Sequence, residues 1–334
     1  MIFNLFQAAT LKKSTQFVLI GKLNVETSLK WLILVASYSF LTYKLITFDR
    51  YEVLANEWNQ IPILRFWWLS LVFILLPVNW LLEAIKWQML VSKIQESSLF
   101  YAVKAILSGI FTGFFTPNRV GEMVGRVSFL KNENRKSGVT LCILNSLTQN
   151  IIMVLFGIPA CILFFLSQNK ILNTEIVGYL LILIISLILF GLFFYNLPQL
   201  SQRLKLTRFS AKFSSFSDCL SEYSATDLLR IMLITLLRYS VFCAQFYFML
   251  LFFGVEIEVW QALIAIPTSY LFVTFTPSLA FSEAAVRSSY AVLVIGAFSF
   301  SEIPIILAGV SIWVVNFVFP MLVGSVIMVK SKTI

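Results

Sequence analysis

Six long apolar runs organise this chain, at about 31–48, 64–91, 139–166, 176–195, 228–253 and 304–329. Apolar runs of roughly 18 residues or more read as membrane-spanning helices, because only a helix satisfies its own backbone groups in hydrocarbon. Two further apolar stretches, 99–130 and 262–297, are interrupted near their middles by Pro117 and Pro277 and by charges. Each reads as a broken helix or re-entrant hairpin. Irregular backbone at membrane depth requires protein or a wet cavity around it, so the breaks point to an interior site. Two complete helices meeting at a proline turn are the competing description, with the same sidedness. The fold class expected is therefore all-α, a polytopic helical membrane protein of six spans and two hairpins, or eight or more helices if the hairpins span.

Sidedness follows from Lys and Arg in the short loops. Lys12, Lys13, Lys22 and Lys30 precede the first run, and Lys93, Arg126, Lys131, Arg135 and Lys136 follow the second. Arg203, Lys205, Arg208, Lys212, Lys330 and Lys332 mark further cytoplasmic ends, which puts both termini inside. The ends bearing Asp49, Glu52 and Glu57, then Lys170 and Glu175, then Glu256 and Glu258, face out. No signal-peptide pattern opens the chain, so the N-terminus is expected to be retained. Trp31, Trp58, Trp67, Trp87 and Trp260 suit an interfacial belt, or equally a lipid-facing or packing role.

With this sidedness the first broken element enters from the cytoplasmic side and the second from the outer side. Two inverted halves, about 30–170 and 176–330, then form a single transmembrane domain over 1–334, each half with three spans and a hairpin. The residues agree: Phe115, Thr116, Pro117 recurs 160 positions later as Phe275, Thr276, Pro277. Glu122 and Arg126 stand four apart, as do Glu283 and Arg287, with one extra residue between proline and glutamate in the second copy.

A Glu and an Arg four apart share a helix face and can pair, which by itself would lock a hairpin. The functional reading uses the proline break instead. It frees backbone N–H groups at a half-helix N-terminus, where the dipole favours an anion and Arg119, Arg126 and Arg287 would complete a phosphate or carboxylate cradle. Glu122 and Glu283 would hold those arginines, contact a cationic headgroup or exchange a proton. Arg238 lies about 15 Å into its span at helical rise, too deep to snorkel, and reads as interior. Glu83 and Lys86 read as an interfacial pair near the end of the second run. The stripe of Asn145, Thr148, Gln149 and Asn150 reads as helix-to-helix hydrogen bonding, as do Gln245 and Asn316.

Composition narrows the chemistry. At 59% hydrophobic against 12% charged, the chain is too apolar for an ordinary soluble domain. A net charge of +9 in such a chain indicates loops facing anionic lipid rather than nucleic acid. The absence of His removes imidazole catalysis and His metal ligands. Cys142, Cys161, Cys219 and Cys243 form no Cys-x-x-Cys pair, so neither a disulfide framework nor a zinc site is expected. There is no GxxxxGK[ST] loop to supply nucleotide energy, and no cofactor is expected.

The run Pro117, Asn118, Arg119, Val120, Gly121, Glu122 with Arg126 resembles the Pro-Gly-Arg-Leu-Gly-Glu...Arg motif of the transmembrane region of bacterial lysylphosphatidylglycerol synthases and of their stand-alone flippase-like relatives. The likeness covers about 31–329. In the second copy Pro277 is followed by Ser278, Leu279, Ala280, Phe281, Ser282 and Glu283, without the glycines and the Arg before Glu that the family shows, and Arg287 stands in for that charge. The resemblance implies a bacterial inner-membrane protein that moves an amphipathic lipid between leaflets, either aminoacylated or polyprenyl-phosphate-linked. It implies no lysyl transfer, since the longest polar stretch, 196–227, is far below the ~100 residues of a typical domain.

The expected partner is thus a membrane lipid with a phosphate-containing headgroup, met by Pro117, Arg119, Glu122, Arg126, Pro277, Glu283, Arg287 and Arg238. Export or uptake of a small organic anion would use the same arginines in a closed cavity. An intramembrane enzyme using Glu122 or Glu283 as general acid or base is disfavoured by the missing His and metal ligands. A scaffold without substrate, its charges purely structural, is the remaining alternative.

Overall fold

A computed structural model describes residues 62–116, 119–169, 221–278 and 280–330, with positions 39, 42, 43, 46 and 196. Apart from those positions, the expected spans at 31–48 and 176–195 lie outside the described residues, as do Pro117, Trp31, Trp58, Cys219 and the basic stretch 203–212. The described elements are all helical: α1 Phe66–Val91, α2 Leu99–Phe114, α3 Gly121–Val127, α4 Arg135–Asn169, α5 Ala225–Phe252, α6 Val259–Phe275, α7 Ala280–Ile295, α8 Glu302–Trp313 and α9 Phe319–Lys330, with a π-helical turn at Val314–Val318 joining the last two. Four continuous apolar segments are long enough to cross a membrane: Ile63–Val91, Asn132–Gln168, Ala225–Phe252 and Glu302–Lys330. They coincide with the second, third, fifth and sixth apolar runs, and the chain is a multi-pass membrane protein. α4 starts four residues before the third run, because Arg135 and Lys136 continue the helix past the apolar stretch.

Local chemistry sets the ends and bends. Ser98 caps α2 by accepting from the Tyr101 amide, and Ser224 and Asp227 form a reciprocal box at the start of α5. Pro320 has no N–H to give the carbonyl of Asn316 and its ring crowds that carbonyl, and the helix widens to the π turn immediately before it. Each interrupted stretch is divided into two helices, α2 with the short α3 and α6 with the longer α7, the first ending at Phe114 and Phe275 and the second beginning at Gly121 and Ala280.

The packing exchanges partners between the two halves of the sequence. α1 lies along α5; α2 packs on α9 while α6 packs on α4; α3 touches α4 while α7 touches α8. Two apolar cores result. One collects Val72 and Leu76 of α1 with Ile152, Phe246, Ile266 and Ile305; the other collects Ala84, Trp87 and Leu90 of α1 with Ile106, Leu141, Leu144 and Ile231. Trp87 therefore belongs to a core, 1% exposed, and is no interfacial anchor, whereas Trp67 and Trp260 are exposed. Between the cores, along α1, lies the polar interval Asn79–Glu83, and it is there that the charges gather.

Candidate functional site

Each long segment brings a polar side chain to its own midpoint. Asn79, Gln149, Arg238 and Asn316 stand within two residues of the middles of the four candidate spans, and they bond to one another. Arg238 donates from Nε to Asn79 Oδ1 at 2.9 Å and from Nη1 to Gln149 Oε1 at 3.1 Å. Asn79 Nδ2 donates to Asn316 Oδ1 at 2.9 Å. Polar groups in hydrocarbon must find such partners, and bonds between helices are how a bundle supplies them.

One helical turn along α1, Glu83 is the hub of the charges. Its Oε1 accepts from Arg126 Nη1 at 2.8 Å and from Asn145 Nδ2 at 3.0 Å. Its Oε2 accepts from Arg238 Nη1 at 2.8 Å and faces Lys86 Nζ at 3.6 Å. Glu83 is 1% exposed and Lys86 0%, so the pair expected at the interface is wholly interior. Asn79, Glu83 and Lys86 share one face of α1, a spacing compatible with an interfacial pair as well as with a buried stripe. Arg126, counted among the loop cations for sidedness, is likewise buried, at 6%.

The paired motifs build the rest. Arg126 Nη2 donates to Glu122 Oε2 at 3.1 Å, and Arg287 donates from Nε and Nη2 to Glu283 Oε1 at 3.0 and 2.7 Å, so both Glu-Arg pairs form within their helices. Arg119 crosses between hairpins. It donates from Nε and Nη2 to Glu283 Oε2 at 3.2 and 2.7 Å, with Nη1 3.7 Å from Glu122 Oε1. An unbroken line of charge therefore runs from Lys86 through Glu83, Arg126, Glu122, Arg119 and Glu283 to Arg287.

The turn holding Arg119 is stitched by two threonines. The Gly121 amide donates to Thr116 Oγ1 at 2.7 Å, and Thr112 Oγ1 donates to the Gly121 carbonyl at 2.7 Å. Arg119 itself adopts φ 57°, a left-handed conformation costly for a residue with a Cβ. Its guanidinium rests 3.8 Å from the centroid of Phe317, in the π turn. Arg238 faces Phe242 at 5.0 Å, Arg126 faces Trp87 at 5.7 Å and Arg287 faces Tyr270 at 5.8 Å. Each guanidinium thus has both a carboxylate and an aromatic face.

These groups enclose a cavity of about 110 Å³ lined by Glu83, Arg119, Glu122, Arg126, Arg238 and Arg287, with Gln149, Asn316 and several aromatic and aliphatic side chains. Of the residues proposed from sequence, five thus line one space, and Glu283 stands behind it holding Arg119 and Arg287. Pro277 sits in the α6–α7 turn, away from the lining. Of the backbone N–H groups expected to form a cradle, that of Gly121 is taken by Thr116 Oγ1, and the guanidinium groups of Arg119, Arg126, Arg238 and Arg287 line the cavity. Trp313, Asn316 and Tyr270 escape sequence reasoning as lining residues, because tertiary packing alone turns them inward. A small cavity lined by Gln149, Met153, Arg238 and Phe242, all shared with the first, adds Tyr239. Tyr239 also lines an apolar cavity of about 340 Å³ between α4, α5 and α6, with Phe156, Leu263 and Ile266. Among the described residues no group of three Cys, Asp or Glu side chains could hold a metal ion.

A family model described as the lysylphosphatidylglycerol synthase TM region matches residues 29–324. No curated protein matches the chain.

Proposed function

From the premise that this chain belongs to the family of the lysylphosphatidylglycerol synthase transmembrane region, we propose that it is a lipid transporter that moves a phosphate-bearing lipid between leaflets rather than converting it chemically. The observation that carries this reading is the arginine-lined cavity at mid-span. Guanidinium groups recognise phosphate through paired N–H donors, and a midplane site is where a headgroup must pass. A lipid is favoured over a free organic anion by the apolar cavity that shares Tyr239 with the small cavity beside Arg238, which gives an acyl chain a place next to the headgroup.

In this reading the two proline-turn pairs are re-entrant hairpins of an inverted repeat, in a cell membrane with both termini cytoplasmic. The contact pattern supports the repeat. Exchanging α1 with α5, α2 with α6, α3 with α7 and α4 with α8–α9 maps the main packing pairs onto one another. The Arg119–Glu283 bond then joins equivalent hairpins, and opening it is the movement that alternating access requires.

Leaflet exchange of an acyl-labelled fluorescent phosphatidate and phosphatidylglycerol, read by quenching of outer-leaflet dye in reconstituted vesicles, tests the proposal. The protein should accelerate exchange above protein-free vesicles. The triple variant R119A/E283Q/R287A, which leaves no lone buried charge at that end, should lower the rate at least about tenfold with helicity and melting retained. Exchange no faster than in empty vesicles, or unaffected by the triple variant, would overturn it.

A further inference from the structure

Resting on the lipid-transport reading, we infer that the cavity selects a headgroup carrying two or more negative charges and rejects one that carries an ammonium, so that an aminoacylated phospholipid is not its ligand. Four guanidinium groups, Arg119, Arg126, Arg238 and Arg287, face three carboxylates, Glu83, Glu122 and Glu283. Arginine stays charged in proteins, so the site holds at least one uncompensated positive charge, and the Lys86 ammonium beside Glu83 adds a second.

The hydrogen bonds give the same sign. Every carboxylate oxygen already faces a cation: both of Glu83, both of Glu122 and both of Glu283. The side-chain oxygens of Gln149 and Asn316 are occupied by Arg238 and Asn79. By contrast, three buried donors on residues lining the cavity, Arg126 Nε, Trp313 Nε1 and Asn316 Nδ2, have no acceptor among the described residues. The buried acceptors without a donor among the described residues, Asn145 Oδ1 and Gln245 Oε1, and the unpartnered hydroxyls of Ser108 and Tyr239 belong to residues outside the lining. An ammonium binds to carboxylates or to aromatic faces, and here the Phe317 and Phe242 rings carry Arg119 and Arg238. Surplus donors and spoken-for acceptors suit a phosphomonoester or pyrophosphate, whose second ionisation near pH 6 gives it close to two charges at neutral pH.

Purified full-length protein in detergent is titrated with phosphatidate, phosphatidylglycerol and lysylphosphatidylglycerol of identical acyl chains, and with glycerol 3-phosphate, at pH 7.5 and pH 5. The expected order at pH 7.5 is phosphatidate at least about tenfold tighter than phosphatidylglycerol, and lysylphosphatidylglycerol weakest. At pH 5, where the monoester holds its second proton, the advantage of phosphatidate should shrink to within about threefold. That comparison needs no variant to fold. Lysylphosphatidylglycerol binding as well as phosphatidylglycerol, or a phosphatidate advantage undiminished at pH 5, would overturn the charge selection while leaving lipid transport standing. Glycerol 3-phosphate binding as tightly as phosphatidate would uphold the charge selection and overturn the lipid reading. No binding by any of the four would overturn both.

Discussion

The hairpin of α2 and α3 crosses on glycine, whereas that of α6 and α7 crosses on serine and valine. Gly109, Gly113, Gly121 and Gly125 of the first correspond in register to Ser269, Val273, Ser282 and Val286 of the second, all four of which are buried. In the first hairpin the space for a side chain is absent: a Cβ on Gly125 would stand 2.4 Å from Thr112 Oγ1 and 2.5 Å from the Ser108 carbonyl oxygen, and one on Gly113 would stand 2.5 Å from Glu122 Cγ. The close approach lays Glu122 and Arg126 across α2, from where Arg126 reaches Glu83 of α1. In the second hairpin larger residues fill the crossing, and Glu283 meets Arg119 of the opposite hairpin. Equivalent motifs therefore do unequal work. The first copy exports cations to its neighbours, and the second supplies the carboxylate that receives one.

The comparison breaks most severely at Glu83, the carboxylate through which the first hairpin is tied to α1 and α5. Glu83→Gln leaves Arg126, Arg238 and Lys86 facing a neutral amide in a buried site and should cost about 3–5 kcal/mol, read as a fall in the unfolding midpoint in detergent. Glu122→Gln, at a carboxylate whose side chain is 21% exposed and which accepts one hydrogen bond, should cost about 1 kcal/mol or less, and equal losses would deny Glu83 its role as hub.

A second test lies in the crossings. Gly125→Val forces two backbones apart and should cost about 1–3 kcal/mol, although valine is the natural residue at the matching position 286. A Gly125→Val protein that melts like the parent would show the glycine crossing to be dispensable.

The smallest expected effect sharpens the partner choice of Arg119. Double-mutant cycles should give a coupling of about 1–3 kcal/mol for Arg119 with Glu283, bonded through two nitrogens, but below about 0.5 kcal/mol for Arg119 with Glu122, 3.7 Å away. The reverse order would place the natural partner of Arg119 within its own hairpin.

Much of this architecture can be read along the chain. Four spans are legible because a helix crossing hydrocarbon needs nothing but unbroken apolarity, and the two Phe-Thr-Pro turns stand out because proline and charge interrupt such runs. Arg238 announces itself by depth. Glu83 does not, since a glutamate three residues from a lysine near the end of an apolar run has the pattern of an interfacial pair; its burial is decided by α3 and α5, 43 and 155 positions away. The Asn79–Asn316 bond spans 237 positions and has no local signature at all. Periodicity reports which face of a helix is apolar, and the identity of the neighbour on a polar face is a property of the assembled bundle.

The π turn at Val314–Val318 has a consequence for how the chain tolerates change in length. One extra residue in a helical turn rotates everything beyond it by roughly 100°. Gly324, where an added Cβ would stand 2.0 Å from the Leu107 carbonyl oxygen, faces α2 because the π turn takes up that extra residue by widening. Deleting a single residue between 314 and 318 would return the π turn to α geometry and keep Gly324 on Leu107, while a deletion between 319 and 323 that leaves the π turn in place would swing a bulky neighbour onto that carbonyl. The π turn is thus the one described stretch of the last segment where a residue can be lost without changing which face of α9 meets α2.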